Sequence, residues 1–355
     1  MVSPARRLAF EILTAVERGG YASDMLAARA GPLDTRDAGL ASEIVLGVLR
    51  YRAQLDYLIE HYSGKPAARL DDAVRLALRM GIYQLRYLER VPAHAAVSES
   101  VELIKRARKR SAAGFANVVL RKVDRAPVAW PDRAVELSHP EWLLERWERQ
   151  YGAEAAEAIA RANLRVPARY VNPETARIQD IGAQAIVPLL RLQPGQTFLD
   201  LCAAPGNKTA QALAAGVQGV ACDIHPHRLA MLKGLGADLV VLDGTRPLPF
   251  RRRFDRVLID APCSGTGTLA HNPEIKWRLR PEDLADLRAR QVALLEHGRQ
   301  SVAPGGVLVY STCSLEREEN EDVVATVPAE LVVETMRRVP GQDAGDGFFA
   351  AVVIG

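Results

Sequence analysis

Apolar positions over residues 4–125 recur at helical spacing. Leu8, Ile12, Leu13 and Val16 share one helix face, and Ile44, Val45, Val48 and Leu49 share another. Leu55, Leu58 and Ile59 follow, then Val74, Leu76, Leu78, Met80, Ile82 and Leu85. Breaks at Gly19-Gly20, Gly31-Pro32 and Ser63-Gly64-Lys65-Pro66 separate these runs. Beyond Pro92 the pattern predicts two more helices, roughly over 94–109 and 112–123. Residues 1–125 therefore read as an all-helical bundle whose apolar stripes form its core. A connector over 126–182 carries helical segments at Glu141–Gln150 and Glu154–Asn163, with Pro127, Pro131, Pro140, Pro167 and Pro173 between and around them.

From residue 183 to 355 the period changes to short apolar runs alternating with helix-like segments. The expected strands are Thr197–Leu201, Gly219–Asp223, Leu239–Leu242, Arg256–Ile259 and Gly306–Tyr310. That alternation predicts an α/β domain with a doubly wound parallel sheet covered on both faces. Two later strands, Leu331–Glu334 and Phe348–Ile354, are expected to form a hairpin at one edge.

Composition adds a division of labour. The 355 residues carry a formal net charge of only +3 and are 48% hydrophobic, which excludes wholesale disorder. Residues 1–125 are net +7, whereas 171–355 are net −3. No apolar run reaches membrane-spanning length, and the first residues lack a signal-peptide core, so a cytoplasmic protein is expected. Four cysteines, Cys202, Cys222, Cys263 and Cys313, make no disulfide scaffold, and all lie in the acidic part.

The chemistry gathers at strand ends. Phe198-Leu-Asp-Leu-Cys-Ala-Ala-Pro-Gly-Asn-Lys-Thr209 is a strand, a small-residue turn and a helix opening at Gly206. A phosphate-binding loop would need Gly before Lys208, where Asn207 stands, and a dinucleotide fingerprint would need further glycines. Asp200, Asp223, Asp243 and Asp260 close or follow four successive strands. One such carboxylate is most often a helix cap. Four together, around a turn that admits a ligand without pyrophosphate, suggest S-adenosylmethionine.

Asp260-Ala-Pro-Cys-Ser-Gly265 and Tyr310-Ser-Thr-Cys-Ser314 follow the fourth and fifth strands. If those strands are neighbours, Cys263 and Cys313 face one another although 50 positions apart. Cys222 and Cys202 are expected to be inert core or turn thiols. No ligand spacing supports a metal. Two thiols beside a methyl donor suit methylation of pyrimidine carbon 5: a thiolate on carbon 6 makes carbon 5 nucleophilic, and a base then removes its proton. Asp260 is placed to stabilise that adduct near N3.

These motifs resemble those of bacterial ribosomal RNA cytosine-5 methyltransferases of the Sun/RsmB type, over almost the whole chain. Asn272-Pro-Glu-Ile-Lys-Trp277 and Asp346-Gly-Phe-Phe349 are similar to further family segments. His94-Ala-Ala-Val-Ser-Glu-Ser-Val-Glu102 and Phe115-Ala-Asn-Val-Val-Leu-Arg121 resemble NusB-type helices. The resemblance implies a NusB-like RNA-binding domain joined to a class I, Rossmann-like methyltransferase domain. It implies that Cys313 is the nucleophile and Cys263 the base or base-assisting thiol for release, roles that the spacing alone leaves open. It also implies cofactor contacts from Cys202, Ala203, Ala204, Pro205, Gly206, Lys208, Asp223, Arg228, Asp243 and Asp260, with Lys208 lining the active site.

Two departures from the family pattern stand out. Asn207 replaces the second Gly of Pro-Gly-Gly-Lys, and only six residues separate Asn172 from Gln179-Asp180. The second implies loss of a small RNA-contacting subdomain. The basic run Lys105, Arg106, Arg108, Lys109 and Arg110 is a candidate RNA footprint, or else a solvated helix end. The expected partner is small-subunit (16S) ribosomal RNA, met by a monomer without metal or membrane. Transfer RNA is the alternative target, and a non-catalytic RNA-binding or antitermination protein the alternative class.

Overall fold

Seven longer helices and their short companions condense around the apolar stripes of the N-terminal part. In the computed structural model, which describes residues 2–355, the chain divides into two units. One comprises Met1–Val166 with Leu269–Trp277, the other Pro167–Thr268 with Arg278–Gly355.

The first unit contains α1 (Pro4–Val16), α2 (Ala22–Arg29), α3 (Thr35–Arg50), α4 (Arg52–Ser63), α5 (Asp72–Tyr87), α6 (Ala93–Arg106) and α7 (Ala113–Lys122). The short α8 (Arg133–Glu136) leads to α9 (Glu141–Tyr151) and α10 (Ala153–Leu164). Local chemistry fixes the ends. Asp34 caps α3 by accepting the Asp37 amide at 2.7 Å, and Gly64 takes the left-handed conformation that stops α4. Ile12, Leu13, Ile44, Val48, Leu55, Ile59, Leu78 and Ile82 are among its fully enclosed residues.

Gly47 lets α3 and α5 approach. A Cβ there would run into the Tyr83 ring, which stacks on Tyr87 at 5.4 Å and donates its hydroxyl to Glu43 at 2.5 Å. The segment Leu269–Trp277 belongs to this unit because it completes the end of α3. Lys276 Nζ donates to the Arg50 carbonyl at 3.0 Å, and Trp277 Nε1 to that of Leu49 at 2.7 Å. These are carbonyls that a helix leaves without internal partners. Glu274 accepts the Ala22 amide at 2.8 Å.

The second unit is built on β1 (Thr197–Asp200), β2 (Gln218–Asp223), β3 (Asp238–Val241), β4 (Phe254–Asp260), β5 (Val302–Thr312), β6 (Val332–Arg338) and β7 (Phe348–Ile354). Their order is β3-β2-β1-β4-β5-β7-β6, with β1 to β5 parallel and the β6–β7 hairpin antiparallel at one edge. Successive residues serve opposite faces. Leu199, Val257, Ile259, Leu308 and Tyr310 enter one core, and Phe198, Leu258, Val309, Ala350 and Val352 the other. Helices α11 (Ile181–Gln184) and α12 (Asn207–Ala214) contribute to the second face. The first face takes Leu294, Leu295, Val323 and Val324 from α15 (Asp283–Gln300) and α16 (Glu321–Val324). The remaining helix of this unit is α13 (Pro226–Leu229); α14 (Ile275–Arg278) falls, but for Arg278, in the Leu269–Trp277 segment of the first unit.

All seven expected strands form, with β5 longer than its apolar run. Ser311 and Thr312 extend it because they pair with Ala350 and Phe349 of β7. Neither is apolar, so hydrophobicity alone could not mark that end.

The Gly47 contact is testable. Gly47→Ala should cost about 1–3 kcal/mol through overpacking against Tyr83. Gly39→Ala, in open space on the same helix, should be neutral or stabilise by up to about 1 kcal/mol. Thermal unfolding followed by helical circular dichroism compares the two; equal effects would contradict the packing argument.

Candidate active site

Carboxyl ends of parallel strands converge where β1 and β4 part in opposite directions. β1 ends at Asp200, which is buried and accepts from Thr209 Oγ1 at 2.7 Å and the Cys202 amide at 3.4 Å. Burial pushes its carboxyl up to about 7, against the opposing hydrogen bond from Thr209. The turn through Cys202, Ala203, Ala204 and Pro205 reaches Gly206 at φ 100°, the N-cap of α12. A Cβ on Gly206 would lie 2.8 Å from Leu232 Cγ, so both backbone and space demand glycine there. Asn207 is different. It occupies the first helical position, outside the left-handed region, and its Nδ2 donates to the Ile178 carbonyl at 3.2 Å.

Asp223 ends β2, is buried, and accepts the His225 amide at 2.8 Å. Arg228 is exposed on α13, just beyond it. Asp243 caps its own turn, accepting from Thr245 Oγ1 at 2.6 Å and the Thr245 amide at 3.0 Å. Those bonds hold its carboxyl below the usual range. Asp243 thus closes a side-chain-to-backbone turn, and the next element after it is a strand, β4, not a helix. Burial raises the Cys202 thiol well above its ordinary value and the Cys222 thiol to about 12, which keeps both protonated.

The two motif cysteines meet. Cys263 Sγ and Cys313 Sγ lie 3.4 Å apart, with a hydrogen bond between them. That bond, then burial, then the charges of Cys313 and Glu319, push the Cys263 thiol well up. Lys208 reaches from α12 to pair with Asp260 at the end of β4, Nζ to Oδ2, at 2.7 Å. Burial disfavours the Lys208 charge, but Asp260 outweighs it and the ammonium is held more firmly than usual. The Phe348 ring lies 5.2 Å from the same Nζ, and Ser311 Oγ donates to the other Asp260 oxygen at 3.0 Å. Asp260 is thereby fixed at both oxygens.

The basic run lies in the helical unit, fully at the surface. Lys109 pairs with Asp71 at 2.7 Å and Lys105 with Glu102 at 3.5 Å. Arg106, Arg108 and Arg110 make no ion pair among the described residues. Also among these residues, no group of three or more His, Cys, Asp or Glu is arranged to hold a metal, and no helix is long and apolar enough to cross a membrane.

Comparison with known proteins places this geometry. Residues 187–330 match the family model for 16S rRNA methyltransferase RsmB/F, and residues 3–125 the NusB family. Ribosomal RNA small subunit methyltransferase B of Erwinia tasmaniensis is 30% identical, over 96% of this chain and 95% of its own. The chain belongs to the ribosomal RNA small subunit methyltransferase B family. It is an RNA methyltransferase. The relative of the same name from Yersinia enterocolitica is 32% identical, again over 96% and 95%. The fold is that of the crystal structure of PH0851, with a TM-score of 0.79, 21% identity and 99% of each chain covered. The Erwinia alignment runs over 410 positions, whereas this chain has 355 residues, so members of the family differ by sizeable internal segments.

Sequence reasoning missed Glu319. Wholly buried, it accepts four hydrogen bonds around the two cysteine loops. In the sequence it sits in Glu316-Arg-Glu-Glu-Asn320, which reads as a solvated turn, and no local signal distinguishes it.

Asp200 generates a pH prediction. Its folded carboxyl titrates near 7 and its unfolded one near 3.8. Between those values the folded state holds a proton that the unfolded state has lost, so stability falls as pH rises. Asp200→Asn removes this dependence and should gain on the parent across that window, by up to about 4 kcal/mol. Melting temperatures of both proteins between pH 4.5 and 8 read it; parallel curves would contradict the buried carboxyl.

Proposed function

We propose that the protein methylates carbon 5 of a cytosine in small-subunit ribosomal RNA, through a covalent bond between Cys313 and carbon 6 of the base. The contact of the two thiols beside the Lys208–Asp260 pair is the observation that carries this reading. The names of the relatives support the ribosomal target.

The strand-end turn fits S-adenosylmethionine. Small residues at 203, 204 and 206 put little side chain on the turn, and Asp200 and Asp223 put buried carboxyl groups beside it. Cys202, Ala203, Ala204, Pro205, Gly206 and Asp223 would hold the cofactor, with Arg228 and Asp243 at the margin. When bound, S-adenosylmethionine supplies an electrophilic methyl group on a sulfonium centre.

The chain's own residues supply the rest. The Cys313 thiolate adds to carbon 6, and the displaced electron density makes carbon 5 nucleophilic. Asp260, fixed by Lys208 and Ser311, faces the N3 edge and stabilises the charge that develops there. Lys208 keeps positive charge next to an anionic adduct. After methylation a base, Cys263 or one that it assists, takes the carbon 5 proton; the electron pair left behind re-forms the carbon 5–carbon 6 double bond, and the carbon 6–sulfur pair leaves with Cys313 as thiolate. Cys263 serves this release. The target base leaves its stack to enter the pocket.

The two cysteines give opposite expected phenotypes. Cys263→Ala should accumulate a denaturation-resistant RNA–protein adduct, and Cys313→Ala should form none and lose activity at least about a thousandfold. The reverse pattern would exchange their roles. Bisulfite mapping of RNA from a deletion strain should show one lost 5-methylcytosine in small-subunit ribosomal RNA. A loss in transfer RNA would move the target, and no loss in either would overturn the reading.

A further inference from the structure

Ser264 and Ser314 directly follow the two cysteines, and their hydroxyls lie 3.0 Å apart. Both donate to one oxygen of Glu319, Oε2, at 2.5 Å each. The other oxygen, Oε1, accepts the Ser264 amide at 2.8 Å and Gln291 Nε2 at 2.9 Å. Gln291 also holds the Pro262 carbonyl at 2.9 Å, and Tyr310 donates to the Glu319 carbonyl at 2.6 Å. Four donors fill the acceptor sites of an ionised carboxylate, and no Lys or Arg pairs with Glu319 among the described residues. A buried anion satisfied only by hydrogen bonds loses much if one donor shifts. Both cysteine loops are therefore tied to one rigid acceptor.

We propose that Glu319 is a positioning residue for the methyl-transfer site: its carboxylate clamps the loops after β4 and β5 and so sets where Cys313 stands to attack the base and where Cys263 stands for release. The proposal deepens the paired-thiol reading and rests on it. The negative charge has a second effect. It stands near Cys263 and opposes ionisation of that thiol, so Cys263 remains a thiol while Cys313 adds.

Glu319→Gln keeps the shape and removes both the charge and one acceptor. Made in the full-length Cys263→Ala parent, with S-adenosylmethionine and transcribed small-subunit ribosomal RNA, it should slow adduct formation at least about tenfold. Cofactor affinity by calorimetry should stay within twofold, separating misplaced thiols from a damaged cofactor turn. In the Cys313→Ala protein, the pH of half-alkylation of Cys263 by iodoacetamide should fall on Glu319→Gln, because a nearby negative charge is removed. An adduct rate within twofold of the parent overturns the proposal. Should Glu319→Gln fail to fold, the Ser264→Ala/Ser314→Ala double variant replaces it under the same thresholds. If the Cys263→Ala parent itself forms no adduct, the methylation reading has failed instead. The rate at which diamide closes a Cys263–Cys313 disulfide in the protein with both cysteines needs no RNA and then decides for Glu319 by itself: slower closure on Glu319→Gln supports the clamp and an unchanged rate overturns it.

Discussion

Asp260 lies opposite Ser311 in the parallel β4–β5 ladder, and that register decides what the two following loops can reach. The Ala261 amide adds one more bond, to the Ser311 carbonyl at 2.8 Å, before the strands part. Cys263 and Cys313 then follow at nearly equal offsets, and the Gly267 amide returns to the Cys313 carbonyl at 2.9 Å. A slip of one residue would move one thiol by about 3.3 Å and turn its strand's side chains to the other face. The two apolar cores forbid that slip, since Leu258 and Val309 serve one and Val257, Ile259, Leu308 and Tyr310 the other. Packing far from the thiols thus fixes their distance.

Low dielectric surroundings sort the acidic groups near them into different jobs. Asp200, enclosed with a hydroxyl and an amide as partners, is held toward its neutral form. Asp260 has a buried ammonium at 2.7 Å and is compensated as an anion. Glu319 has neither cation nor solvent, only four donors aimed at it. Carboxyl groups close in space thus differ in their surroundings because their partners differ.

The strand-end chemistry was legible because its cause is local. A short apolar run closed by Asp, then a turn of small residues, announces a ligand site whatever the distant chain does. The pairing of Cys263 with Cys313 was legible only on condition that the fourth and fifth strands are neighbours, which alternation alone leaves open and the β4–β5 pairing supplies. Glu319 was not legible, since a glutamate in an acidic turn looks solvated until three other segments close over it. The same holds for Asn272–Trp277. Its motif was visible, but nothing local tells that Lys276 and Trp277 complete the end of a helix more than 220 positions earlier. Asp243 stands where the strand pattern puts a carboxylate, and its Oδ1 also binds its own turn.

The two departures from the family pattern turn out to be neighbours. Between Asn172 and Gln179 the chain makes a tight hairpin, with Val171 bridged to Ile178 and Ala176 at φ 55°. Asn172 organises it. Its Oδ1 accepts the Glu174 and Thr175 amides at 2.8 and 3.3 Å, and its Nδ2 donates to Gln179 at 2.8 Å. The hairpin therefore satisfies its own backbone and needs no inserted subdomain to close it. Its last carbonyl before Gln179, that of Ile178, is taken by Asn207 Nδ2 at 3.2 Å. Glycine at 207 has no side chain to make that bond, and the helical backbone there does not require glycine's freedom. Asn207 thus anchors the short hairpin to the helix that carries Lys208.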